Sequence, residues 1–189
     1  TKFSMTDLVE AQTTVASRLP AHLKRGEVIT PIVDQVKNYA VATKGVDMDQ
    51  SAEAVTGFLQ STGKDISTAE KAAAQARRAS NMLIRMQKLG GMSHDDLMPF
   101  VQRGASAGHI AGLSDETMGA LAIGLRRSNI SGDQAGTALR TLSAKLVAPT
   151  SKGLSALATA GIDYNEFTKL PGGLSVDNLE GKFRQDFGK

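Results

Sequence analysis

The apolar and polar positions of this chain repeat as a succession of helix starts, each followed by a stripe at helical spacing. Ser4 with Asp7 makes a capping-box pattern, and Leu8, Ala11, Val15 and Leu19 follow before Pro20. A second helix is expected to be capped by Thr30, with Pro31 as its first residue, Ile32, Val33, Val36 and Ala40 on one side, and Gly45 beyond its end. A shorter helix carries Ala54, Val55, Phe58 and Leu59 and stops at Gly63. The longest pattern starts at Ser67, with Glu70 as its reciprocal capping partner. Its stripe of Ala69, Ala72, Ala73, Ala76, Ala79, Leu83 and Met86 is small at the start and large at the end, and Gly90 and Gly91 close it.

More compact units follow. Ser93 caps a helix bearing Leu97, Met98, Val101 and Ala105, and Ser114 opens another with Met118, Leu121, Ala122 and Leu125 on its face. Ser131 with Gln134 is a further capping box, leading into Ala135, Ala138, Leu139, Leu142 and Leu146 before Pro149. Leu154, Leu157 and Ala158 define a short helix, and Gly161 followed by Ile162 has the pattern of a left-handed helix ending. Asp163 with Glu166 marks one more turn carrying Tyr164 and Phe167, and Pro171, Gly172 and Gly173 precede a final pattern of Val176, Leu179, Phe183 and Phe187. No stretch alternates as a strand does. The fold expected is all-α, about eight short to medium helices arranged in antiparallel hairpins or an elongated helical array.

Met92-Ser93, Leu113-Ser114 and Ile130-Ser131 each place an apolar residue before a cap, where it can staple onto the first turn. Ordinary capping accounts for that similarity; an internal duplication is the other reading, and the likeness beyond the caps is too weak for a solenoid.

Composition narrows the picture. With 41% hydrophobic and 22% charged residues the chain lies outside the range of disorder. Aromatic residues are 4% and Trp is absent, so Ala and Leu fill the stripes and each helix buries modest area. The absence of Cys excludes disulfides, thiolate metal sites and thiol catalysis. Thr1 is followed by no leader pattern, no apolar run approaches the length of a membrane span, and the lack of an initiator Met points to a piece of something longer. The net charge of +3, from 22 Lys and Arg against 19 Asp and Glu, reads as a small excess spread along the chain, whereas nucleic-acid binding rests on a concentrated basic face.

Candidate chemistry is sparse. His22, His94 and His109 share no zinc-binding spacing, and Asp95 and Asp96 beside His94 suit the first turn of a helix. Two of Glu70, Glu116 and Glu166 could be nominated as a glycosidase pair, but each sits at a helix start that explains it. Gly90-Gly91 and Gly172-Gly173 lack a phosphate-loop pattern, and Ser151 lacks a nucleophile-elbow setting. Arg126 and Arg127 before the Ser131 helix resemble a helix-turn-helix superficially, yet that helix offers only Arg140 and Lys145 as long basic donors. The expectation is therefore a chain that is not an enzyme, with no cofactor and no metal.

The sharpest local feature runs from Asn129 to Arg140. Ser131 caps it with Gln134, Gly136 permits close approach of another backbone, Thr137 can satisfy its hydroxyl against the preceding turn, and Arg140 can reach a neighbouring carbonyl or carboxylate; Ala135, Ala138 and Leu139 are apolar candidates for the core. This stretch resembles the core region of bacteriophage tail tape measure proteins. The likeness extends back through Met92 to Leu97 and Leu113 to Leu125, and forward through Leu146, Pro149 and Thr150 to Gly161 and Ile162, covering about Ser67 to Asp163. It implies a division into an N-terminal helical segment (1–63), a tape-measure-like core (64–163) and a C-terminal helical extension (164–189).

The resemblance implies a virion structural protein of the tail, acting as a ruler and scaffold in tail length determination and tail tube assembly, and released or rearranged during DNA ejection. The implied partners are the tail tube protein and tail assembly chaperones, with self-association as a further prospect, and no specific nucleic acid or membrane span. The implied location is the lumen of the virion tail tube, and the bacterial host cytoplasm during assembly. The alternatives are a cell-wall-degrading or envelope-interacting tail module and a helical DNA-binding module. The apolar stripes are either satisfied within the chain's own hairpins or left for tube subunits and other copies.

Overall fold

The computed structural model describes residues 3–43, 45–160 and 163–165, and among these residues there are helices and turns but no strand. The helices are α1 (Met5–Arg18), α2 (Gly26–Ala42), α3 (Met48–Ser61), α4 (Ala69–Gly90), α5 (His94–Phe100), α6 (Ser106–Ile110), α7 (Asp115–Arg127), α8 (Gly132–Val147) and α9 (Ser151–Thr159). A wide π turn, Val101–Ala105, joins α5 to α6 without leaving helical backbone angles, so the two make one bulged rod. The all-α reading holds.

Local sequence sets most of the starts. Capping boxes open α1 at Ser4, α5 at Ser93 and α8 at Ser131, and Ser114 caps α7. α4 begins one residue later than its pattern implied: Thr68, not Ser67, accepts from the Lys71 amide, while the Ser67 amide turns back to Asp65. α3 starts at an Asp47–Gln50 capping box ahead of its main apolar stripe. α2 departs most, running from Gly26 with Pro31 inside it. Its first turn survives without a side-chain cap because Val28 is wholly buried and Ile29 packs on the core, so tertiary contacts outweigh the hydrogen bond that proline removes. α4 ends as anticipated, with Gly91 in the left-handed region at φ +65°.

Successive helices alternate in direction and pack in two layers. Thr14 and Arg18 of α1 meet Asp49 and Glu53 of α3 in the same order along the chain, so α1 and α3 run parallel side by side. Ser80 and Gln87 of α4 likewise reach Gln35 and Tyr39 of α2. The bulged rod lies beside α3 and then α8, completing one layer of α1, α3, α5–α6 and α8. The other layer is α2, α4 and α7. One apolar cluster fills the space between the layers from Ala11 to Leu139, crossing residue 63 without a break, with Tyr39, Phe58 and Phe100 its largest fully buried side chains. Burial holds the Tyr39 hydroxyl far above its ordinary pKa, so it stays protonated and accepts from Gln87.

α9 stands apart from this packing. None of its residues is buried, and Leu154 is 40% exposed. Beyond it the Tyr164 hydroxyl donates to the Val147 carbonyl at 2.7 Å, returning the chain to the end of α8. The expected Gly161–Ile162 ending and the pattern from Glu166 to Phe187 lie outside the described residues. No helix among the described residues is long and apolar enough to cross a membrane.

Candidate functional site

The residues that carried the family resemblance lie where α8 joins the array. Ser131 accepts from the Gln134 amide, and the Gln134 side chain accepts from the Ser131 amide in return. One turn on, Ala135 and Gly136 are buried against the α5–α6 rod. A methyl group at Gly136 would stand 3.0 Å from the Pro99 carbonyl oxygen and 3.1 Å from the Phe100 Cα, and one at Gly104 would stand 3.1 Å from the Gly136 Cα. The two backbones approach as closely as glycine allows, and Leu139 then fills the space beside Gly104 and Gly108.

Asp96 fixes the register of this seam. Its Oδ1 accepts from the Gly132 amide at 3.2 Å, while its Oδ2 accepts from the Ser93 hydroxyl at 3.0 Å and pairs with Arg126 at 3.2 Å. One carboxylate therefore caps its own helix, satisfies an orphan amide at the start of α8, and ties in the end of α7. Desolvation pushes the Asp96 carboxyl up, but the Gly132 amide, the Ser93 hydroxyl and amide and the Arg126 charge pull it further down, leaving it below its ordinary value and ionised at neutral pH. Arg103 and Asp133 add a pair at 2.8 Å outside the seam.

Other residues of the motif are placed differently. Ala138 is exposed, which corrects its assignment to the core: α8 touches its neighbours along the narrow line Ala135, Gly136, Leu139 and Ser143, and position 138 points off that line. Thr137 and Arg140 are exposed as well, and the Thr137 carbonyl accepts from the Thr141 hydroxyl. Gly161 lies outside the described residues. Sequence reasoning missed the Asp96–Gly132 link, because the two residues are 36 positions apart and Asp96 already had a sufficient role in its own helix.

A cleft of about 370 Å³ lies away from this seam, lined by Lys64, Arg78, His109, Gly112, Leu113, Ser114, Asp115 and Glu116. Lys64 pairs with Asp115 across it at 2.8 Å. Of the carboxylates nominated for acid–base chemistry, Glu116 lines the cleft, Glu70 does not, and Glu166 lies outside the described residues. Hydrogen bonds from its own amide and from Thr68 hold the Glu70 carboxyl below its ordinary pKa, as a helix start does. Among the described residues no group of three or more His, Asp or Glu side chains is placed to hold a metal ion. Arg126 and Arg127 serve the fold, Arg126 on Asp96 and Arg127 donating to the Leu89 carbonyl at the end of α4.

Comparison with curated proteins and with solved structures gives no match. A family model for phage-related minor tail proteins matches residues 1–189, the whole of the chain, which therefore belongs to the phage-related minor tail protein family.

Proposed function

We propose that this chain is a structural segment of a tail tape measure protein, contributing to tail length determination and to assembly of the tail tube, and leaving or rearranging when DNA is ejected. Membership of the minor tail protein family supports a structural role in the phage tail. The finer reading rests on the stretch from Ser131 to Arg140, whose buried residues serve as a packing strip between helices and not as a reactive group. On this reading the chain works through noncovalent contacts with the tail tube protein and the tail assembly chaperones, inside the tube lumen of the virion and in the host cytoplasm before that, and it catalyses no reaction.

Tail length in electron micrographs of a phage carrying this segment tests the proposal. In-frame removal of residues 5–160 is expected to shorten the tail, by no more than about 230 Å given the rise of a continuous helix. Tails of unchanged length would exclude a measuring role for the segment.

A further inference from the structure

The small net charge conceals a concentrated basic face on α4. Between Lys71 and Lys152 eleven Lys and Arg stand against five Asp and Glu, so the positive charge belongs to the middle of the chain. α4 carries no carboxylate after Glu70. It does carry Arg77, Arg78, Arg85 and Lys88, all exposed. Five other cations are committed to carboxylates: Arg18 to Glu53, Lys64 to Asp115, Lys71 to Asp65, Arg103 to Asp133 and Arg126 to Asp96. Among the described residues the four on α4 have no hydrogen-bond or ion-pair partner.

Their spacing makes one surface. Arg78 and Arg85 are two helical turns apart on nearly one line, Arg77 and Lys88 lie together on one side of it, and the set spans about 16 Å of helix. The opposite side of α4 is anchored by Ala72, Ala76, Ala79, Leu83 and Met86, all in the core, so the cations project from a rigid rod. Arg127 adds a fifth positive charge where it meets the Leu89 carbonyl.

We propose that this face of α4 binds the phosphate backbone of duplex DNA without sequence preference. A specific protein interface is built around an apolar centre, and here the exposed residue between the cations is Asn81; Ile84 beside it is half-buried against the core, and the one large exposed apolar side chain of the helix, Leu89, stands at its end. A row of phosphates asks only for closely spaced positive charge on a firm support. Charge matching without an apolar centre favours the nucleic acid over an acidic protein face.

Fluorescence anisotropy of the chain with two short duplexes of unrelated sequence, over a series of salt concentrations, tests this. Both duplexes are expected to bind equally, with the logarithm of the association constant falling against that of salt with a slope of about −3.6 for four phosphate contacts. Arg78→Gln combined with Arg85→Gln should weaken binding and reduce the slope by about 1.8 in magnitude, and Arg77→Gln combined with Lys88→Gln should do the same. Lys145→Gln combined with Lys152→Gln, exposed cations of α8 and α9, should leave both quantities unchanged. Circular dichroism identical to the parent chain shows that each variant keeps its fold. No binding at low salt, equal losses for all three variants, or displacement of the DNA by polyglutamate at equal charge concentration would overturn the proposal, the last of these in favour of an acidic protein partner.

Discussion

Replacing Gly132 by alanine will pull α8 away from α5 and lower the unfolding free energy by about 3 kcal/mol. The glycine is the first residue of α8, and a methyl group there would lie far inside contact distance of the Asp96 backbone carbonyl. Neither group can yield by rotating a side chain, since both belong to helix backbone. Relief requires the start of α8 to move, and that movement stretches the 3.2 Å hydrogen bond from the Gly132 amide to Asp96. The loss therefore has two parts, a steric displacement and an orphaned amide at a helix start. Urea denaturation followed by circular dichroism checks it. Alanine is the better helix former, so a helix insensitive to its neighbour would gain stability from the same change.

Phe100→Ala will cost about 4 kcal/mol, measured in the same way. Phe100 is fully buried at the entrance to the π turn, which faces α3 on one side and α8 on the other. Few aromatic side chains serve this core, because they are 4% of the sequence, and alanines take up many of its other positions. Small neighbours anchored on rigid helices cannot move in to fill the space an aromatic ring leaves. Against the roughly 5–15 kcal/mol total of a folded domain, either substitution removes a large share.

The elements most readily read from sequence were those whose ends are written in local residues. Ser4, Ser93, Ser114 and Ser131 each precede their helix by one position, and the left-handed Gly91 stops α4. Where tertiary packing decides, the pattern misled. α2 extends back to Gly26 because Val28 is taken into the core, although Pro31 signals a later start. The π turn could not be read because Val101 and Ala105 are core residues at a spacing compatible with an ordinary α-helix. Directly before it, Pro99 lacks the amide that would donate back to Asp95.

The seam was half legible. Gly136 announced close backbone contact, and Ser131 with Gln134 announced the start of α8. The partner of that contact, the Pro99–Gly104 stretch, lies more than thirty residues away and became evident only once the helices were stacked. Ala138 failed as a core residue because α8 packs along one narrow line at the edge of its layer. The basic face of α4 was hidden for a related reason. Net charge averages over the chain, while folding pairs Arg18, Lys64, Arg103 and Arg126 with carboxylates and leaves Arg77, Arg78, Arg85 and Lys88 of α4 together without an ion pair.

Amide hydrogen exchange on the intact chain tests most directly whether α8 is locked into a continuous two-layer array. The amides of Ala135 to Leu139 should exchange as slowly as those of Leu97 to Ala105, and Asp96→Ala should accelerate both stretches together while leaving α1 protected. Exchange of Ala135 to Leu139 at the rate of an unstructured peptide, with α3 and α4 still protected, would contradict the packing on which the structural reading depends.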